Sequence, residues 1–314
     1  MGRPVETLPN LALAQPGLAR HADRRLEPNL VPTLLADPST RVVDLHRDRV
    51  ELTEGPNGPA LTQRSPRPDD HERLVVFLGQ DDGGAGDDGD TAYLAVVEPD
   101  AEPTDHPEWR TLRQCGADLA DRDATLFATA LALANWHATH SHCPRCGAAT
   151  EPSQGGWLRV CPRDDSQHYP RTDVAVIMSV VDEQDRLLLA RGADWGEGRF
   201  SVLAGFLEPG ESLAAAVTRE VYEEVGIVVR DVEYLGDQPW PFPNSLMVGF
   251  TARADASELH LQDAEIAEAR WFTREEYREV LASGRVSRST RLSIARRLIE
   301  RWLGHGLDEQ PAPV

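Results

Sequence analysis

The sequence predicts an α+β chain with a β-rich unit at the N-terminus, a small cysteine-bearing segment, and an α/β sandwich at the C-terminus. Three observations lead there. The 314 residues are enough for about two domains at roughly 100–200 residues each. Short apolar runs separated by turn-rich stretches occupy the first hundred residues, whereas strand and helix patterns alternate after residue 173. Between them lie Cys143, Cys146 and Cys161, and such clustering in a cytosolic chain reads as metal before disulfide. The implied divisions are 1–139 for the β-rich unit and its closing helix, 140–172 for the cysteine segment, 173–304 for the sandwich, and 305–314 for a disordered tail.

Taken in order, LVVFL (74–78) and TAYLAVV (91–97) read as strands of the first unit. The acidic stretch 81–90 between them reads as a solvated loop. It lacks the closing Glu of an EF-hand loop, which leaves calcium binding unsupported. From Asp121, helical spacing links Leu126, Ala130 and Leu133, and also Phe127, Ala134 and His137, so one amphipathic helix should run straight into the cysteines. Beyond them, 174–181 and 186–190 read as a buried hairpin and 201–205 as a further strand. A helix is expected over 212–225, strands over 227–235 and 245–254, and helices over 273–282 and 288–303.

The 52 acidic against 32 basic residues give a net charge of −20, and every basic residue other than histidine is arginine. Codon bias accounts for the missing lysine. That balance argues against sequence-blind nucleic-acid binding and against a membrane surface. No apolar run approaches the roughly 18 residues that span a bilayer, and the N-terminus offers no signal-peptide core. A cytoplasmic protein with no membrane partner is the expectation.

The chemistry concentrates in Gly205-Phe-Leu-Glu-Pro-Gly-Glu211, seven further residues, and Arg219-Glu-Val-Tyr-Glu-Glu-Val-Gly-Ile227. It reads as a strand end, a Gly/Pro loop, a helix and a Gly stop. Glu220, Glu223 and Glu224 stand at i, i+3 and i+4, on one face. Like charges so close destabilise an ordinary helix, and hard divalent cations with oxygen ligands resolve the conflict. A plain solvated acidic face is the usual reading of Glu-rich helices, but the fixed offsets of Gly205, Glu211, Arg219 and Gly226 argue against it here. The stretch resembles the Nudix box at every fixed position. That resemblance implies an α/β/α sandwich that hydrolyses, with divalent metal, a nucleoside diphosphate linked to another moiety.

Downstream, Asp237-Gln238-Pro239-Trp240-Pro241-Phe242-Pro243-Asn244-Ser245 is a proline-stiffened loop with two large aromatic faces. On composition alone, ring stacking on a substrate and plugging of a core are equally good readings. The segment 238–245 is similar to the signature of the NADH pyrophosphatase subfamily, and the resemblance covers roughly residues 125–304. It implies a four-ligand zinc ribbon starting at Cys143 and Cys146, and a divergent N-terminal domain that supports a homodimer. The second half of that ribbon departs from the usual cysteine pair: it reads Cys161-Pro-Arg-Asp164. Three thiolates and a carboxylate can still hold tetrahedral Zn²⁺. Asp164 stands at the fourth position, with Asp165, His168 and His142 as alternatives and loss of zinc as the competing reading.

Carried over residue by residue, the resemblance puts the Mg²⁺ or Mn²⁺ ligands, for two or three ions, on Glu220, Glu223, Glu224 and Glu265. Arg219 and Glu211 complete the catalytic set. Arg219 orients the box carboxylates, and the general base is left open between a box glutamate and Glu265. Substrate contacts fall on Tyr169, Ala204, Phe206, the 238–245 segment and Ala295. The implied reaction is hydrolysis of NADH to NMNH and AMP, with NAD⁺ as a related substrate and the NAD cap of an RNA 5′ end as a third, since it contains the same bond. Two other readings compete: a different Nudix specificity such as ADP-ribose, and a zinc-ribbon nucleic-acid binder carrying a degenerate hydrolase.

Overall fold

The computed structural model describes residues 6–81, 90–100, 106–261 and 265–308. Residues 82–89 of the expected acidic loop (81–90) and 309–314 of the expected tail (305–314) lie outside them. The chain forms two compact units. One holds residues 13–172 and 239–244; the other holds 173–238 and 245 onward, together with the N-terminal stretch up to Ala12. No helix among the described residues is long and apolar enough to cross a membrane.

The first unit contains helix α1 (Leu30–Ala36), strands β1 (Arg41–His46), β2 (Arg49–Gly55), β3 (Gly58–Leu61), β4 (Leu74–Gln80), β5 (Ala92–Glu98) and β6 (Trp109–Thr111), then helices α2 (Leu112–Cys115) and α3 (Asp121–Thr139). The strand order is β3-β2-β1-β5-β4, with β6 on β2. Only β1 and β5 pair in parallel. The apolar runs in β4 and β5 are continuous because both faces of the sheet are covered. Val75, Phe77, Leu94 and Val96 pack with Leu30 and Leu34 of α1, while α3 packs against β4 and β5. Arg64 binds Asp44 and the buried Asp70 together, offsetting the cost of burying that carboxylate.

The ribbon follows as a three-stranded sheet of β7 (Glu151–Ser153), β8 (Leu158–Val160) and β9 (Gln167–His168). It is fastened to α3 by a buried polar contact. Arg159 of β8 donates from Nη1 to His137 Nδ1 over 2.7 Å, and from Nε to Thr150 Oγ1 over 2.7 Å. The guanidinium can only donate and the Gly156 carbonyl can only accept, so His137 must be the neutral Nε2–H tautomer, giving its proton to Gly156 O at 2.8 Å.

The second unit contains β10 (Asp173–Val181), β11 (Leu187–Gly192), β12 (Leu203–Phe206), α4 (Leu213–Val225), β13 (Val229–Trp240), β14 (Ser245–Ala254), β15 (Ile266–Phe272), α5 (Arg274–Ala282) and α6 (Ile294–Leu303). The last two residues of β13 belong to the first unit. The sheet runs β13-β14-β10-β11-β15, with β12 on β10 and β10 parallel to β14. The expected hairpin of β10 and β11 exists only at its turn, with the single pair Val181↔Leu187. Beyond it β12 takes over the β10 edge through Ala175↔Phe206 to Met178↔Leu203. Alternation splits the faces. Val176, Met178, Val248 and Phe250 pack with Ala216, Val217 and Val221 of α4, whereas Gly249 faces Ile294 of α6 so closely that a Cβ would lie 2.9 Å from Ile294 Cδ1. Helices therefore cover both faces of the sheet. The segment 266–272 is a strand that its weak apolar pattern did not announce. The last helix begins at Ile294 rather than 288, because Ser293 caps it by accepting from Ala295 N.

Gln238, expected among the substrate contacts, is fully buried and its amide is engaged by the chain itself. Nε2 donates to Ala12 O and Leu292 O at 2.7 Å each, and Oε1 accepts from Ile294 N at 2.9 Å. Gln238→Leu would leave two carbonyls and one amide unsatisfied in the interior. It should cost about 3 kcal/mol, read as a lower midpoint in urea denaturation. His137 supplies a pH test. Burial, reinforced by the Arg159 charge, lowers its pKa from 6.5 to about 4. The unfolded chain therefore takes up a proton as pH drops below about 6.5, and the folded chain does not until about 4. Stability present above that window is lost on acidification, by about 2 kcal/mol between pH 7 and pH 5. His137→Gln should remove this part of the pH dependence in paired denaturation curves.

Candidate active site

The box begins where β12 leaves the sheet. Its loop turns at Glu208–Glu211, and Ser212 caps α4 by accepting from Ala215 N at 3.2 Å. The helix stops at Gly226, whose φ of 71° is the left-handed conformation that a glycine cap provides. These two ends fix the rotation of α4 and hence the direction of its glutamates.

Arg219 organises the cluster. Nε and Nη2 grip the two oxygens of Glu211 at 2.9 Å each. Nη1 reaches Glu220 Oε1 at 2.8 Å and Glu223 Oε2 at 3.0 Å, and Nη2 also donates to Phe206 O at 2.9 Å. One planar guanidinium thus ties three carboxylates and the end of β12 together. Hydrogen bonding to Arg219 lowers the Glu211 pKa. Glu220 goes the other way: burial raises its carboxyl above the ordinary range even with Arg219 beside it. Gly205 is explained by the same contact, because a Cβ there would fall 1.9 Å from Glu220 Cδ. The missing side chain is the space that the Glu220 carboxylate fills.

Glu224, one turn along, is buried with 8% exposure, while Glu223 is half exposed. Glu265 lies just ahead of β15, where its carbonyl accepts from Ala193 N at 2.7 Å. Direct contacts of Arg219 thus join Glu211, Glu220 and Glu223. Among the described residues, the group whose possible ligand atoms all converge within 4.8 Å is a different one, that of the cysteines.

Of the residues expected to touch substrate, Ala204 and Phe206 stand on β12 in the second unit, and the Phe206 ring is 60% exposed. Ala295 is buried in the first turn of α6, and Ser245 pairs with Asp173 at the start of β14. Tyr169 and the loop Pro239–Asn244 belong to the first unit. Tyr169 is 62% exposed, its hydroxyl donating to Gln167. Trp240 and Phe242 meet edge to face at 4.9 Å, with the Arg113 guanidinium 3.8 Å from the Phe242 centroid and 5.1 Å from that of Trp240. Asn135 of α3 donates to Pro241 O and Pro243 O at 3.2 and 2.8 Å, and Asn244 donates to Arg171 O. Sequence reasoning missed Arg113 and Asn135. The one signal for Asn135 was a polar residue in an otherwise apolar stretch of helix, and Arg113 gave none.

In the ribbon, Cys143, Cys146, Cys161 and Asp164 form the convergent group. Its two halves are built alike. Gly147 N bonds Cys143 O at 2.9 Å and Asp165 N bonds Cys161 O at 3.0 Å, each with a positive φ at the closing residue. Asp164 thereby occupies the turn position that Cys146 occupies in the other half. Ser166 Oγ, 2.6 Å from Asp164 Oδ1, helps hold that carboxyl down at about 2, so it is ionised as a ligand must be. Cys115 lies apart and buried, its thiol pushed up to about 11 by desolvation.

Comparison with known proteins fits this geometry. Residues 170–291 match the model of the NUDIX domain, 138–169 that of the NADH pyrophosphatase zinc ribbon domain, and 39–136 that of the NADH pyrophosphatase-like rudimentary NUDIX domain. A protein of Mycobacterium bovis named NAD-capped RNA hydrolase NudC is 46% identical over 237 residues, covering 73% of this chain and 75% of that one. The human NAD-capped RNA hydrolase NUDT12 is 39% identical over 210 residues, 63% of this chain and 45% of its own. Among solved structures, a NUDIX hydrolase from Nitrosomonas europaea covers 53% of this chain and 94% of its own at 22% identity, with a TM-score of 0.43. On the strength of the mycobacterial identity and the three matching domains, the chain belongs to the NADH pyrophosphatase subfamily of the Nudix hydrolases.

Proposed function

We propose that this enzyme hydrolyses the pyrophosphate bond of NADH and NAD⁺, giving AMP with NMNH or NMN, and cleaves the same bond in the NAD cap of an RNA 5′ end, releasing NMN and leaving a 5′-monophosphate RNA. The observation that carries the reading is the ordered carboxylate cluster around Arg219, with the buried Glu220 filling the space above Gly205. Such a site repels a pyrophosphate unless cations intervene, and its donors are all oxygens, which suit Mg²⁺ or Mn²⁺. Glu220, Glu223, Glu224 and Glu265 would hold two or three such ions. When bound, they supply an activated water and positive charge for the departing phosphate. The chain's own part is positional: Arg219 and Glu211 fix the box carboxylates, and Phe206 offers a flat exposed surface to a substrate ring, while Tyr169 and the Trp240–Phe242 loop are the further substrate contacts that the family resemblance implies. The names of the relatives support the choice of an NAD-type substrate.

Zinc in the ribbon is assigned to Cys143, Cys146, Cys161 and Asp164, supported by the matched turns and by the convergence of the four ligand atoms. A homodimer and a cytoplasmic location complete the proposal, the first resting on the family resemblance and the second on composition.

Glu224→Gln should lower NADH turnover at saturating Mn²⁺ by about 100-fold or more, with an unchanged circular dichroism spectrum; near-normal turnover would remove the metal assignment. Gly205→Ala should act alike by displacing the Glu220 carboxylate. A parallel assay with ADP-ribose tests the choice of substrate. For the ribbon, elemental analysis should return one zinc per chain. Asp164→Ala should speed zinc release to a chelator while Asp165→Ala does not, and stripping the metal should lower the Tm.

A further inference from the structure

Within the first unit lies a cavity of about 1060 Å³ that takes no part in the site described above. Leu30, Val31, Leu74 and Val75 give it an apolar lining. Its charged lining residues are Arg25, Arg67 and Arg73 against a single carboxylate, Glu27. In a chain of net charge −20, that is a local reversal of sign.

The acidic groups nearby are already engaged. Glu27 pairs with Arg24 at 3.1 Å, and Arg73 takes Asp69 at 2.9 Å and Glu98 at 3.0 Å. Asp70 is held by Arg64 and by the backbone N–H of Arg67. Among the described residues no ion pair reaches the guanidinium of Arg25 or of Arg67. The Arg25 guanidinium carbon sits over Trp157, 3.6 Å from the ring centroid, and that of Arg20 stands 5.8 Å from the same centroid. Arg25 Nη2 donates to Arg20 O at 3.2 Å, and Arg25 Nε is buried without a hydrogen-bond partner. Burial and then the charge of Arg20 both lower the Arg25 pKa, so this cation is held where it is poorly solvated and poorly compensated. A guanidinium stacked on an indole keeps its remaining N–H groups for a phosphate.

We propose that this groove binds a stretch of single-stranded RNA, with phosphates against Arg25 and Arg67 and sugars and bases against the apolar lining. The proposal rests on the reading that the enzyme acts on capped RNA, and adds where the strand is held. The volume of about 1060 Å³ slightly exceeds the roughly 300–1,000 Å³ of small-ligand sites, and Arg25 and Arg67, from separate segments of the chain, line the same groove. The overall charge opposes long polyanions, whereas a local cluster serves a short segment.

The test uses the full-length enzyme with Arg67→Glu, a change of an exposed side chain, and the double variant Arg25→Gln/Arg67→Gln. Hydrolysis of NADH and of a short NAD-capped RNA is measured, together with fluorescence anisotropy of a labelled 5′-monophosphate RNA of the same sequence. NADH kcat/KM should stay within about twofold. Capped-RNA kcat/KM should fall about tenfold at low salt in the double variant. Its salt dependence should flatten by about 1.4 in log–log slope, because each phosphate of a single strand that an arginine neutralises adds ~0.7. Anisotropy should show the same fall in affinity. Equal losses on both substrates, or RNA affinity unchanged in both variants, would overturn the proposal. So would AMP alone losing affinity as the RNA does, which would make the groove a mononucleotide site. Should the wild type hydrolyse neither substrate, the proposed activity fails while the anisotropy measurement still decides the groove.

Discussion

Carboxylates packed on one helix face must be held against their own repulsion, and in this protein one arginine does it. Arg219 donates to Glu211, Glu220, Glu223 and the carbonyl of Phe206. The strand end, the loop and the helix are therefore not independently placeable. Shift any one and a charged group loses its partner in a partly buried site, where the loss is largest. The Ser212 cap, the Gly226 stop and the open space at Gly205 all serve the same geometry. Burial nevertheless raises the Glu220 carboxyl above its ordinary range, even beside Arg219.

The ribbon follows a parallel logic with different donors. Its two turns have matching hydrogen bonds, so the position of a ligand is set by the backbone and its chemistry by the side chain placed there. Asp164 offers a carboxylate at the turn position where Cys146 offers a thiolate in the other half. Ser166 then keeps that carboxyl ionised. The buried contact of His137 with Arg159 joins this small element to the long helix before it, which gives a segment with little core of its own a fixed seat.

Much of the catalytic unit was legible because its signals are local. The helices over 213–225 and 274–282 follow from 3.6-residue periodicity and capping residues that lie within a few positions of each other. The strand Ile266–Phe272 was not legible: its alternation is weak, and it is a strand because β11 offers it an edge. The pairing of β10 was misjudged for the same reason. Adjacent strands suggested a hairpin, but beyond the turn that edge of β10 went to β12, while β14 took the opposite edge, and both arrive from farther along the chain.

The sequence by itself determined the chemistry of the box, the cysteine cluster and the order of the elements, since all three are written in residue type and spacing. Tertiary structure decided which of those residues stand exposed and which hold the chain together. Gln238 shows the difference: it stands within a recognition signature, yet its amide closes Ala12, Leu292 and Ile294 in the interior. Arg113 and Asn135, which no motif marks, fasten the neighbouring aromatic loop. Hydrogen-bond satisfaction and charge compensation depend on groups remote in sequence, and so they appear only when the chain has folded.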